Sequence, residues 1–318
     1  MTMTSHSRPG GIPLDLSLIE SVRVNQPAVR RRIDSLNARR SQKKDWQAAW
    51  LVKAIQCMDL TTLSGDDTPG RVARLCAKAR QPLRRDLMAA LGLDALQTGA
   101  VCVYHEMIAP AVRGLQGSGI PVAAVSTAFP AGLSSMETKL REIELSVQDG
   151  AREIDIVISR RHVLTQDWAA LYDEMKAYRA ACGEAHVKAI LATGDLQTLD
   201  NVAKASWVCM MAGADFIKTS TGKEGINATL DVSLVMVRAI RDYLALTGDK
   251  VGYKPAGGIA TAKMALQYLT LMKEELGNDW LQPDLFRFGA SSLLTDIERQ
   301  LEHHVTGSYS AAHRHAMP

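Results

Sequence analysis

The sequence predicts an α/β protein, a (β/α)8 TIM barrel with an N-terminal helical extension, on three observations. Short apolar, strand-like runs fall at 54–60, 100–104, 121–127, 153–159, 186–192, 214–219, 250–255 and 285–290. Helix-length segments separate them, so each strand is followed by a crossover, the pattern of a parallel sheet. The runs number eight, which favours a closed barrel over an open doubly wound sheet. A chain of 318 residues exceeds the usual single domain, but barrels of about 250 residues fold as one.

Taken in order, residues 1–13 are Ser, Thr, Gly and Pro with little to bury, and read as a disordered N-terminus. Over 14–53 Leu16, Ile19 and Val22 recur at roughly helical spacing, which defines the helical extension. It carries a basic cluster of Arg30, Arg31, Arg32, Arg39, Arg40, Lys43 and Lys44. Without a nucleic-acid motif or interleaved aromatics, the cluster reads as a solvated helix face rather than a site for RNA or an acidic partner. Residues 54–305 hold the barrel. Within it Met136, Leu140, Ile143 and Val147 share one helix face, as do Leu230, Leu234, Val237, Ile240 and Leu244. Residues 306–318 read as a flexible C-terminal tail.

Composition narrows the function classes. Apolar content of 47% with 22% charged residues is ordinary for a globular protein. A net charge of +3 is too small to imply nucleic acid or membrane, and aromatics at 5% supply no base-stacking platform. No run approaches the roughly 20 apolar residues of a membrane span. The five cysteines, Cys57, Cys76, Cys102, Cys182 and Cys209, are scattered and show no CxxC or Cys/His ligand spacing. That argues against a disulfide framework or zinc site and for a reducing, cytoplasmic setting.

Chemistry should sit at the C-terminal ends of the strands. Strand side chains alternate between the barrel interior and the helix layer. In Glu153-Ile-Asp-Ile-Val-Ile-Ser159 the isoleucines at 154, 156 and 158 suit the helix layer, which turns Asp155 inward. Likewise Ile217 suits the outside, turning Phe216, Lys218 and Ser220 inward, and Lys188 and Lys254 fit the interior by the same parity. Three lysines and an aspartate inside one barrel are costly unless paired or functional. An amine attacks a carbonyl only as the free base, and a second ammonium nearby lowers its pKa. Lys218 and Lys254 lie on neighbouring strands, so one can form a Schiff base while the other activates it; chemistry alone leaves the assignment open. Asp155 supplies a carboxylate for proton relay.

Three loops converge beyond strands six, seven and eight: Thr221-Gly222-Lys223, Ala256-Gly257-Gly258 and Gly289-Ala-Ser-Ser292. Gly-rich turns and helix N-termini present N–H groups to anions, and the loops after strands seven and eight are the usual phosphate site of this fold.

Several runs resemble a known family. Met58-Asp-Leu-Thr-Thr-Leu63, Ala100-Val-Cys-Val-Tyr104, Glu153-Ile-Asp-Ile-Val-Ile158, Asp215-Phe-Ile-Lys-Thr-Ser-Thr-Gly-Lys223, Tyr253-Lys-Pro-Ala-Gly-Gly258 and Phe286-Arg-Phe-Gly-Ala-Ser-Ser292 closely resemble deoxyribose-phosphate aldolase, in the same order. The match runs from about Lys53 to Val305, and the extension looks like the longer form of the family. The resemblance implies reversible cleavage of 2-deoxy-D-ribose 5-phosphate to D-glyceraldehyde 3-phosphate and acetaldehyde, in deoxyribonucleoside catabolism. It implies class I chemistry with no metal and no cofactor, a phosphorylated sugar as the small-molecule partner, and a homodimer. By motif Lys218 becomes the Schiff-base lysine, Lys254 the neighbour that depresses its pKa, and Asp155 part of the proton relay. Asp59, Cys102 and Lys188 would line the pocket. Thr221, Gly222, Lys223, Gly257, Gly258, Ser291 and Ser292 would hold the phosphate, several by backbone N–H.

The chain departs from the family at His105, often proline, at Ala128, commonly glycine, and at Ala260, often arginine. Its tail ends in Ala316-Met-Pro318 rather than the terminal tyrosine of some bacterial members. Two other functions share these features: a different Schiff-base lyase acting on a phosphorylated sugar or keto acid, and a catalytically silent phosphate-binding scaffold. The joint presence of Asp155, Lys218 and Lys254 disfavours the scaffold.

Overall fold

A computed structural model describes residues 8–39, 42–315 and 317. Its strands are β1 (Met58–Thr61), β2 (Ala100–Val103), β3 (Val122–Ser126), β4 (Glu153–Val157), β5 (His186–Ile190), β6 (Phe216–Lys218), β7 (Gly252–Lys254) and β8 (Phe288–Ala290). All pair in parallel, in the order β7-β6-β5-β4-β3-β2-β1-β8. Parallel bridges from Tyr253 to Phe286 and from Ala256 to Gly289 bring β7 against the β8 segment and close the barrel.

Parity decides which side chain faces where. Ile154, Ile156 and Ile158 are fully buried in the layer between strands and helices, while Glu153 and Asp155 point the other way, into the barrel. The crossover helices begin behind Thr68, Ser135, Asp167, Thr198, Thr229 and Thr261, each accepting a first-turn backbone N–H. The helix Ser292–Thr306 differs: Ser291, at its N-cap, makes no side-chain capping bond.

The first strand starts later than expected. Ala54 and Ile55 belong to the helix Lys44–Gln56, where with Leu51 they form its buried side. A short apolar run at the end of a buried helix has no period that separates it from a strand. The extension consists of helices Leu16–Ser21, Gln26–Asn37 and Lys44–Gln56. The latter two pack on the barrel helices Leu230–Thr247, Ala262–Leu276 and Ser292–Thr306.

The ends also depart from expectation. Residues 1–7, Arg40, Ser41, Ala316 and Pro318 lie outside the described residues. Residues 8–13, expected to be disordered, are docked. Arg8 pairs with Asp215 at 2.7 Å and donates to the carbonyls of Gly183 and Ala185, and Ile12 N–H donates to the Met211 carbonyl. The barrel's N-terminal end offers carbonyls and a carboxylate that one guanidinium satisfies together, a gain that composition does not reveal. The tail, expected to be flexible, folds back instead. Its short turn Ala312–His315 buries the His315 ring, with Nε2 2.6 Å from Glu302. Among the described residues, no helix is long and apolar enough to cross a membrane. All five cysteines are unpaired and buried.

Candidate active site

The barrel interior holds two tiers of charge, because residues two apart on a strand point inward one layer apart. In the lower tier Arg287, just before β8, donates to Asp59 on β1 and, at 2.8 Å, to Glu153 on β4. Lys188 on β5 links the tiers, bonding Glu153 below and Asp155 Oδ1 above at 3.0 Å. In the upper tier Asp155 Oδ2 accepts from both Lys218 Nζ, at 2.8 Å, and Lys254 Nζ, at 2.7 Å. Lys254 also bonds Asp59. Lys218 pairs with Lys254 in the β6–β7 register, which sets the two amines side by side.

Of the described residues, four cations (Lys188, Lys218, Lys254, Arg287) thus face three carboxylates (Asp59, Glu153, Asp155) in a space where none is more than 4% exposed. Full ionisation leaves a surplus positive charge buried away from bulk solvent. Neutralising one lysine removes it, and the cluster discriminates among the three. Burial opposes charge on Lys254, but Asp155 and Asp59 outweigh it and hold its pKa above the ordinary lysine value. Lys188 is likewise raised, against burial, by Asp155, Glu153 and Asp59. Lys218 is lowered: burial, then the Lys254 ammonium, outweigh the single oxygen of Asp155 that it shares. Burial also opposes ionisation of Asp155, yet the three lysines drive its pKa well below the carboxylate range.

Opposite this charge lies an apolar wall. Cys102 on β2 packs with Ala123 and Val125 of β3, and Leu63, Tyr104 and Phe129 lie against them. Tyr104 and Phe129 meet edge to face at 5.8 Å. Burial pushes the Cys102 thiol pKa up, so the side chain is a neutral surface rather than a thiolate.

The loops of the expected phosphate site lie at the mouth. Gly222, Gly257 and Gly258 all have positive φ, at +87, +84 and +80°, the geometry that turns successive N–H groups to one side. A side chain on Gly222 would lie 3.9 Å from Gly257 Cα, and one on Gly289 would meet Ala256, so the three loops adjoin. Ser291 and Ser292 open the uncapped helix and line a cavity of about 410 Å³ with Thr61, Thr62 and Arg299. Lys223 is placed differently from its neighbours: its ammonium donates to the Leu63 carbonyl at 3.2 Å, across the mouth. Thr221 Oγ1 accepts from the Lys223 N–H.

The structure therefore gathers Asp59, Asp155, Lys188, Lys218 and Lys254 into one network with Cys102 beside it, and sets the glycine and serine loops above. Sequence reasoning missed three charged groups here. Glu153 shares the parity of Asp155 one layer down, a signal that was available. Arg287 shares the parity of Gly289, but nothing local marks its carboxylate partners. Glu224, whose carboxylate accepts from the N–H groups of Thr221 and Gly222, carries no motif of its own.

Fold and site define a parallel (β/α)8 barrel with amine and carboxylate chemistry at the C-terminal ends of its strands. A profile of the DeoC/LacD family aldolases matches residues 53–297. The chain belongs to that family. It is 61% identical over 315 residues to the deoxyribose-phosphate aldolase of Mus musculus, covering 98% of each chain. To the deoxyribose-phosphate aldolase of Homo sapiens it is 58% identical, again over 98% of each. Among solved structures, the tetrameric deoxyribose phosphate aldolase from Aeropyrum pernix superposes with a TM-score of 0.59 at 20% identity, over 82% of this chain and 98% of that one, a likeness of fold. An aldolase called QR15 gives 0.62 at 25% identity, over 79% and 97%.

Proposed function

We propose that this chain reversibly cleaves 2-deoxy-D-ribose 5-phosphate to D-glyceraldehyde 3-phosphate and acetaldehyde through a Schiff base on Lys218. The observation that carries the assignment is the shared oxygen: Lys218 and Lys254 both donate to Asp155 Oδ2, and only Lys218 has a pKa below the ordinary lysine value. The high identity to proteins named deoxyribose-phosphate aldolase supports the substrate.

The steps follow from that geometry. The Lys218 amine, as free base, adds to the C1 aldehyde carbon of the open-chain sugar, and loss of water leaves an iminium. A base then takes the proton of the C3 hydroxyl. The C2–C3 bond breaks, its electron pair passes into the iminium, and glyceraldehyde 3-phosphate departs, leaving an enamine. Protonation of the enamine carbon and addition of water release acetaldehyde and restore the amine. Asp155 is the group in reach of Lys218 for these proton movements, directly or through water. Lys254 stays charged and keeps Lys218 from holding its own proton, while Lys188 and Asp59 fix the Asp155–Lys254 pair. The wall at Cys102 suits the two-carbon apolar end of the substrate. Gly222, Gly257, Gly258 and the Ser291–Ser292 turn supply N–H groups for the phosphate, Thr221 shapes the first of these loops, and Lys223 adds charge at the rim. The buried free thiols support a reducing, cytosolic setting.

The test is cleavage of deoxyribose 5-phosphate with coupled detection of glyceraldehyde 3-phosphate, together with borohydride trapping of acetaldehyde. We expect the adduct on Lys218, and Lys218→Met should abolish trapping and cut turnover by about 10⁴-fold or more. An adduct on Lys254 would reverse the two roles.

A further inference from the structure

Two donors of the proposed phosphate loop are already engaged. Thr221 N–H donates to Oε1 and Oε2 of Glu224, each at 3.1 Å, and Gly222 N–H donates to Oε2 at 3.1 Å. The Glu224 side chain is only 2% exposed, and Arg160 Nη2 stands 3.5 Å from its Oε1. Arg160 is a fixed cation, held by the carbonyls of Pro130 and Ala131 and paired with Asp195 at 3.1 Å. Glu224 thus lies between a nest of backbone N–H groups and a guanidinium. Such a nest serves one oxyanion at a time.

We propose that Glu224 is a built-in occupant of the phosphate nest, a carboxylate that holds these donors until the substrate's phosphate displaces it towards Arg160. The proposal rests on the phosphate reading above and extends it to a residue that governs affinity. Before substrate arrives, Glu224 keeps the loop's donors paired, so the nest stays ordered rather than hydrated at random. The phosphomonoester then competes with two advantages. It carries about −1.5 to −2 of charge against the carboxylate's −1. It also has oxygens enough to engage Gly257, Gly258 and the uncapped helix at Ser292 together, which Glu224, tethered to its own loop, does not reach. An aldehyde without phosphate has neither advantage and leaves Glu224 in place. The loop thereby separates phosphorylated from unphosphorylated substrates by requiring an anion stronger than its own.

The decisive experiment titrates inorganic phosphate calorimetrically into the full-length wild type, Glu224→Gln and Glu224→Asp. Glutamine keeps the shape and loses the charge; aspartate keeps the charge but falls one methylene short, and it carries the test if the glutamine variant fails to fold. Removal of the competitor should tighten phosphate binding roughly three- to tenfold and lower KM for deoxyribose 5-phosphate in proportion, with kcat changing less. Unchanged or weaker phosphate binding would make Glu224 an organiser of the loop and overturn the proposal. The underlying reading has its own control: Gly258→Val, strained at a positive φ, should abolish phosphate binding. If it does while the Glu224 variants gain nothing, the phosphate site stands and displacement falls. If the wild type itself binds no phosphate, both fall.

Discussion

Two clusters in this molecule have the same charge count and opposite chemistry. Inside the barrel, Lys188, Lys218, Lys254 and Arg287 face Asp59, Glu153 and Asp155. On the outside, where the extension packs on the barrel helices, Arg32, Arg39, Arg238 and Arg241 face Glu274, Glu275 and Asp242. Each sets four cations against three carboxylates. The outer arginines are 26 to 47% exposed, so water and salt absorb their surplus. They are also guanidiniums, which do not give up a proton in proteins. The barrel cations are buried away from bulk solvent, so their surplus is screened little, and three of the four are lysines, which do deprotonate. A surplus charge becomes a reactive amine only where solvent is excluded and a cation of the right kind is present.

The strongest way to break this comparison is to remove Lys254. Lys254→Leu takes away the ammonium that lowers the Lys218 pKa and leaves Asp155 Oδ2 to Lys218 alone. Both changes raise that pKa. The fraction of free amine at neutral pH then falls, and turnover should drop by about 10³-fold. Because the defect is protonation, it should be partly relieved as pH rises, with the acid limb of kcat moving to higher pH. A slower enzyme whose acid limb stays in place would mean that burial alone sets the Lys218 pKa.

Arg287 sharpens the comparison from below. It is the one cation of the inner cluster that cannot deprotonate, and Asp59 and Glu153 hold its pKa above even the ordinary arginine value, against burial. Arg287→Met should cost about 3 kcal/mol in urea unfolding, since Asp59 and Glu153 lose their guanidinium bonds inside the barrel and keep only Lys254 and Lys188 as partners. It also lowers the cation count to three, so all three lysines can stay charged against three carboxylates. The Lys218 pKa should therefore rise, although Arg287 does not touch it. A stability loss without movement of the pH profile would confine Arg287 to a structural role.

What the sequence revealed of this arrangement follows its physics. Alternation along β4, β5, β6 and β7 is local, so the inward positions of Asp155, Lys188, Lys218 and Lys254 were legible from apolar neighbours such as Ile154 and Ile217. The beat of eight runs was legible for the same reason. The 4:3 charge count was not, because Glu153 and Arg287 come from opposite sides of the barrel, 134 residues apart, and only closure brings them together. Nor was the start of β1, where the helix residues Ala54 and Ile55 continue the apolar run. The glycines at 222, 257 and 258 marked an anion loop by composition. That Glu224 turns back on it depends on a side-chain conformation that no spacing rule encodes. The docking of Arg8 and His315 belongs to the same class: single charged residues whose partners lie far along the chain.

The smallest effect should come from the outer cluster, and its size is the sharpest check on the role given to solvent. Arg32 pairs with Glu275 at 2.8 Å and Glu274 at 3.5 Å, and the Glu275 side chain is 4% exposed against 5% for Glu153. Geometry alone would rank this pair with those of the barrel. Yet Glu275 also accepts from Arg238 and Arg241, so loss of Arg32 leaves it paired, and the other arginines keep their water. Arg32→Ala should therefore cost less than about 1 kcal/mol, and the cost should shrink as salt rises from about 0.05 to 0.5 M. The Arg287→Met penalty should barely respond to salt, because a buried cluster is screened little. Equal salt sensitivity in the two variants would mean that water reaches the barrel interior. The surplus charge on Lys218 would then have an outlet other than losing its proton.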